Sequence, residues 1–120
     1  MKKRILIVDD DESILGACEL TLLDAGYEVA TIEGDGNVVQ RSVQTKLPDL
    51  ILLDLMLKNL DGKTIAKALK SDSSTRQIPI ILISGYPGSQ QAAYESGVNG
   101  YLEKPFSVDD LMKMVRTYVV

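Results

Sequence analysis

Leu50-Ile51-Leu52-Leu53-Asp54 places four large apolar residues directly before a carboxylate. A short, unbroken apolar run reads as a strand covered on both faces, as in the parallel sheets of α/β proteins, whereas a half-exposed strand alternates. Such sheets bind ligands at the carboxyl ends of their strands, so Asp54 stands where chemistry is usually done. One strand-end Asp can simply start a loop, and the other strands decide between the two readings.

The chain has 120 residues, 45% of them hydrophobic, which suits one domain with one core over residues 1–120. A net charge of -4, with no basic cluster beyond Lys2-Lys3-Arg4, argues against direct nucleic-acid binding. The apolar opening stops at Asp9-Asp10-Asp11, far short of a signal sequence, so a cytoplasmic location without membrane insertion is expected. The single cysteine, Cys18, falls among the apolar positions of a helix and reads as a small core residue rather than a nucleophile. With no histidine, a structural zinc site is excluded.

Residues 4–8 form the first strand, which also ends in acid: Asp9, Asp10, Asp11, Glu12. Asp11 and Glu12 suit the first turn of a helix, whose macrodipole favours anions. That helix lines up Ile14, Leu15, Cys18, Leu22 and Ala25 and stops at Gly26. Residues 27–32 are a more polar edge strand, closed by a turn at Gly34-Asp35-Gly36, and a short helix over 37–45 places Val39 and Val43 inward. After the central strand, a helix carries Ile65, Ala68 and Leu69 in register, with Asp72 at its polar end. A fourth strand over 78–83 begins near Pro79 and leads to Ser84-Gly85. A weakly amphipathic helix over 90–96, a fifth strand over 100–102 before Lys104-Pro105, and a last helix follow. Ser107 and Asp110 suggest a capping box there, and Leu111, Met114, Val115 and Tyr118 form its face. Five strands alternating with five helices make a doubly wound parallel α/β sheet, and right-handed crossovers bring Asp9, Asp10, Asp54, Ser84 and Lys104 to one rim.

Clustered carboxylates need a cationic counterpart, and an oxygen-rich site open to water suits Mg2+. Mg2+, an ammonium and a hydroxyl together can hold a phosphoryl group while a carboxylate oxygen attacks phosphorus in line, and Asp54, central among them, is the nucleophile.

These motifs resemble the receiver domain of two-component response regulators over essentially the whole chain: Val8-Asp9-Asp10, Asp54, Asp61-Gly62, Ser84-Gly85, and Gly100-Tyr101-Leu102-Glu103-Lys104-Pro105-Phe106. The resemblance implies the flavodoxin-like strand order 2-1-3-4-5 of the family's chemotaxis member. It also implies that Asp54 accepts a phosphoryl group from a sensor histidine kinase or phosphotransfer protein. Asp10 and the backbone carbonyl of Met56 would help hold Mg2+, with Asp9 acting through water. Ser84 and Lys104 would contact phosphoryl oxygens, and Tyr101 would turn inward on activation. Met56 and Tyr86, two residues after Asp54 and Ser84, would stand at the rim near the attacking water. Such a domain is a switch that slowly hydrolyses its own aspartyl phosphate, not a turnover enzyme, and it would signal to a downstream protein. The chain departs from many receivers in carrying Lys58 in place of proline and in a shorter Ser84 to Lys104 segment.

The rival readings fit less well. A haloacid dehalogenase-like phosphatase could use Asp9-Asp10-Asp11 but needs no Asp54 and expects an acidic pair after the lysine strand. A flavin module of this fold class would need phosphate donors, not carboxylates, in its first loop. A phosphorylation-independent interaction module would not need the full acid set. No output domain follows the last helix within these residues, which leaves a stand-alone protein and a piece of a longer chain both open.

Overall fold

The computed structural model describes residues 2–33, 35–57 and 61–119. The expected turn residue Gly34 and the Lys58 position lie outside these residues. The elements are β1 (Arg4–Asp9), α1 (Glu12–Asp24), β2 (Glu28–Glu33), a 3-10 turn over Gly36–Val38, α2 (Val39–Thr45), β3 (Leu50–Asp54), α3 (Gly62–Ser71), β4 (Ile80–Ser84), α4 (Gln90–Glu95), β5 (Gly100–Glu103) and α5 (Val108–Tyr118). All strand pairings are parallel and the order is β2-β1-β3-β4-β5, as the resemblance implied.

The unbroken apolar runs are explained by the pleat, which sends successive side chains to opposite faces. Ile5, Ile7, Leu50, Leu52, Ile81 and Ile83 pack with residues of α1 and α5, whereas Leu6, Val8, Ile51, Leu53, Ile80 and Leu82 pack with residues of α2, α3 and α4. Both faces are covered, so both must be apolar. Truncating a fully buried member such as Leu52 to Ala should cost about 2–5 kcal/mol.

Several boundaries differ from the sequence reading. β4 starts at Ile80: Pro79 has no N–H to give the ladder, although its carbonyl already accepts from Ile51 N–H of β3 at 3.0 Å, and Ile78 O is taken by Lys70 Nζ at 2.7 Å. On α3, Ala66 is buried beside Ile65 and Leu69, while Ala68 is only half-buried. On α5, Met112 joins Leu111 and Val115 in the core, and Met114 and Tyr118 pack at its edge, the Tyr118 hydroxyl donating to Asn99 O at 2.6 Å. Ala25 lies beyond the end of α1 and is exposed, and Gly26 with φ +96° makes the left-handed stop. Cys18 is buried, and burial followed by the nearby Asp9 charge pushes its thiol up to about 11, which leaves it inert. Among the described residues no helix is long and apolar enough to cross a membrane.

Candidate phosphoryl-acceptor site

Three of the expected polar residues converge at the carboxyl ends of their strands. Asp9 closes β1 with 1% exposure, Asp54 closes β3 and Ser84 closes β4, and all three are buried. Lys104 follows β5 and swings its ammonium inward, to 3.0 Å from Asp9 Oδ2 and 3.4 Å from Asp54 Oδ2. The Lys104–Pro105 peptide is cis.

One cation faces two carboxylates. Asp54 Oδ1 accepts from Met56 N–H at 3.2 Å and Asp9 Oδ1 from Asp11 N–H at 2.9 Å. Asp9 Oδ2 has the ammonium beside it as an ion pair but no hydrogen-bond partner. Burial, then repulsion from Asp9, raises the Asp54 carboxyl to about 6; the Met56 amide and Lys104 offset part of this. Burial opposes the Lys104 charge, yet the ion-paired Asp9 and the charge of Asp54 outweigh that and hold its pKa above the ordinary lysine value.

The remaining acids divide in two. Asp11 caps α1, its Oδ1 accepting from Ser13 N–H at 2.9 Å, so it belongs to the helix as its composition suggested. Asp10 is exposed at the rim. The three carboxylates of Asp9, Asp10 and Asp54 are therefore not drawn into one cage, and among the described residues no group of three or more acids, cysteines or histidines is arranged to hold a metal. The donor chemistry still fits a hard divalent cation. A buried carboxylate oxygen without a hydrogen-bond partner and a second carboxyl with a raised pKa, both beside the same ammonium, mark negative charge that Lys104 shares between them.

Met56 and Tyr86 both stand at the rim with exposed side chains, at 50% and 56%. Their backbone amides are the parts engaged inward, Met56 N–H on Asp54 and Tyr86 N–H on Ser84 Oγ at 3.0 Å. Tyr101 on β5 is half-buried, and its hydroxyl lies 2.8 Å from Ser89 Oγ. Ser89 is not among the residues that the sequence singles out. A serine immediately before a helix looks like an N-cap, and nothing local says that its hydroxyl turns elsewhere.

Gly62 sets the distance between α3 and the acceptor loop. Its amide donates to Leu55 O at 2.7 Å, and a Cβ at this position would collide with the Asp54 carbonyl oxygen and lie 2.9 Å from Leu55 Cα. This is the physical content of the Asp61-Gly62 pair: Asp61 Oδ1 caps α3 through Thr64 N–H at 2.8 Å, and Gly62 lets the capped helix sit on the backbone that carries Asp54.

The chain is 40% identical over 118 residues to the response regulator PleD of Caulobacter vibrioides, covering 97% of this chain and 25% of that protein. Its structure matches that of a putative response regulator from Chloroflexus aurantiacus with a TM-score of 0.93, 32% identity and 98% coverage of both chains. It also matches the receiver domain of a sensor histidine kinase from Pseudomonas aeruginosa, in which a magnesium ion is coordinated in the active-site cleft, with a TM-score of 0.89, 28% identity and 98% coverage of both. The chain spans a quarter to a half of the length of the curated relatives it matches. With residues 5–116 matched by the response regulator receiver domain family, this chain belongs to that family of two-component signalling domains.

Proposed function

We propose that Asp54 is the phosphoryl acceptor of a signalling switch formed by residues 1–120 as one receiver domain. The observation that supports this most directly is the Lys104 ammonium lying between the buried carboxylates of Asp9 and Asp54, on the rim that also carries buried Ser84. At neutral pH Asp54 is largely ionised, and its raised basicity makes its carboxylate oxygen a better nucleophile than an ordinary one. That oxygen attacks phosphorus of a phosphohistidine on a sensor kinase or phosphotransfer protein. A new O–P bond forms, the P–N bond breaks, and the imidazole leaves with its electron pair. Lys104 and the Ser84 hydroxyl hold phosphoryl oxygens as charge moves onto them. Asp9, Asp10 and Asp54 carboxylates with the Met56 carbonyl would hold Mg2+, which when bound supplies positive charge to the phosphoryl oxygens.

Receiver domains are switches rather than turnover enzymes. We assign to this chain slow hydrolysis of its own aspartyl phosphate and a cytoplasmic location. Its output is a protein contact, with no direct nucleic-acid contact by these residues. The test is intact-mass analysis after exposure to a small phosphodonor with Mg2+. A single phosphoryl adduct is expected, absent from Asp54→Asn; an undiminished adduct on that variant moves the acceptor elsewhere.

A further inference from the structure

Ser89 occupies the N-cap position of α4, yet its side chain makes no capping bond. Ser107, in the equivalent position of α5, does what such a residue usually does and accepts from Asp110 N–H at 3.0 Å. The Ser89 hydroxyl turns back instead into the space between β4 and β5. There it lies 2.9 Å from Ser84 Oγ, 2.7 Å from the Tyr86 carbonyl oxygen and 2.8 Å from the Tyr101 hydroxyl.

The protons can be assigned. A serine hydroxyl has one proton and two lone pairs, and the Tyr86 carbonyl can only accept. The Ser89 hydroxyl points its one proton between Ser84 Oγ and the Tyr86 carbonyl oxygen, both of which accept from it, and its lone pairs can take the proton of Tyr101. Ser84 Oγ in turn accepts from Tyr86 N–H at 3.0 Å. Ser84, Tyr86, Ser89 and Tyr101 thus share one hydrogen-bonded network in a partly buried setting, where each bond polarises the next.

From this geometry we propose that Ser89 is the positioning residue through which the state of Ser84 reaches Tyr101. The proposal rests on the reading of Asp54 as phosphoryl acceptor and extends it to the route of the signal. Ser84 has one proton. When Ser84 turns to give that proton to a phosphoryl oxygen on Asp54, its oxygen moves away from Ser89, whose own proton then goes to the Tyr86 carbonyl alone, and the bond that Ser89 holds with Tyr101 changes with it. The ring on β5 is therefore tied to the acceptor through a side chain of the β4–α4 loop, and not through direct packing against Ser84 alone. The two ends of the network are coupled because both bias the same small hydrogen-bonded element.

The experiment follows the phenol carbon of Tyr101 by NMR in protein labelled at tyrosine 13Cζ, with its resonance assigned by Tyr101→Phe. Four chains are compared without any phosphoryl mimic: the parent, Ser84→Ala, Ser89→Ala and the double variant. Ser84→Ala should displace the Tyr101 resonance in the parent and by less than about a quarter as much when Ser89 is absent, since coupling shows as non-additivity. Equal displacement in both backgrounds, or none in the parent, overturns the relay. A second arm adds fluoroberyllate as a phosphoryl mimic, its binding followed at the Met56 amide. The Tyr101 response should be lost in Ser89→Ala and kept in Ser89→Thr, which retains a hydroxyl. A full response in Ser89→Ala, or loss in Ser89→Thr as well, counts against the hydroxyl. Absence of mimic binding in the parent would defeat the acceptor reading instead, and the mimic-free cycle would still decide the relay.

Discussion

Gly62 leaves no room for a Cβ beside the carbonyl oxygen of Asp54, so α3 begins directly on the backbone of the residue assigned to accept phosphoryl groups. Helix and acceptor loop are one packed unit there. Gly62→Ala forces a methyl group into backbone that has no flexible end to move aside. The expected result is a loss of about 1–3 kcal/mol in stability together with slower phosphorylation, because Asp54 shifts from its approach line. Urea unfolding and the time course of the intact-mass adduct measure the two effects. A variant with parent-like values in both would mean that the loop yields without cost.

Asp54→Asn should stabilise the metal-free domain at neutral pH. The folded carboxyl titrates near 6, above the ordinary value for an unfolded Asp, so the folded state binds the extra proton between about pH 4 and pH 6. Stability of the parent therefore falls as pH rises through this window, and the variant, which carries no ionisable group there, lacks the loss. The gain at pH 7 should be on the order of 1 kcal/mol after discounting for solvent at the open rim, and should disappear below about pH 4. Thermal or urea melts of both chains across this range, with chelator present, give the comparison. A gain that grows on acidification would contradict the sign.

Phosphorylation by a small donor should require Mg2+. Lys104 already faces two carboxylates, and the phosphoryl group adds further negative charge to the same rim. Chelation should remove the adduct, and Asp10→Asn should raise the Mg2+ concentration needed. Equal rates with and without the metal would show that the protein's own cations suffice.

Met56 and Tyr86 should slow loss of the phosphoryl group. Both side chains stand exposed at the rim, both are bulky, and neither has an acid or amide to orient a water molecule. The phosphoryl half-life should shorten in Met56→Asn and in Tyr86→Glu under matched Mg2+ and temperature, severalfold in the more exposed of the two positions. Unchanged or longer half-lives would remove these side chains from the path of the water.

The parallel five-stranded fold was legible in local sequence because strands covered on both faces must be apolar at every position, and the runs at Ile5–Val8, Leu50–Leu53 and Ile80–Ile83 are. The polar residues that end those runs, and Lys104 after the fifth strand, were legible for a related reason: right-handed parallel crossovers leave one rim for all of them. What chemistry Asp9 and Asp10 divide between them was not. Asp9 is still paired within β1 and so held inward against Lys104, while Asp10 has left the strand and faces water, a distinction that depends on where the pairing stops. Gly62 and Ser89 depend on tertiary structure still more. A helix start reads the same whether or not backbone from another strand lies under its first residue, and a serine before a helix reads as a cap until the hydroxyls of Ser84 and Tyr101 arrive from two other strands to claim it. Periodicity and composition report the faces of elements; only the packed chain brings partners far apart in sequence within hydrogen-bonding distance.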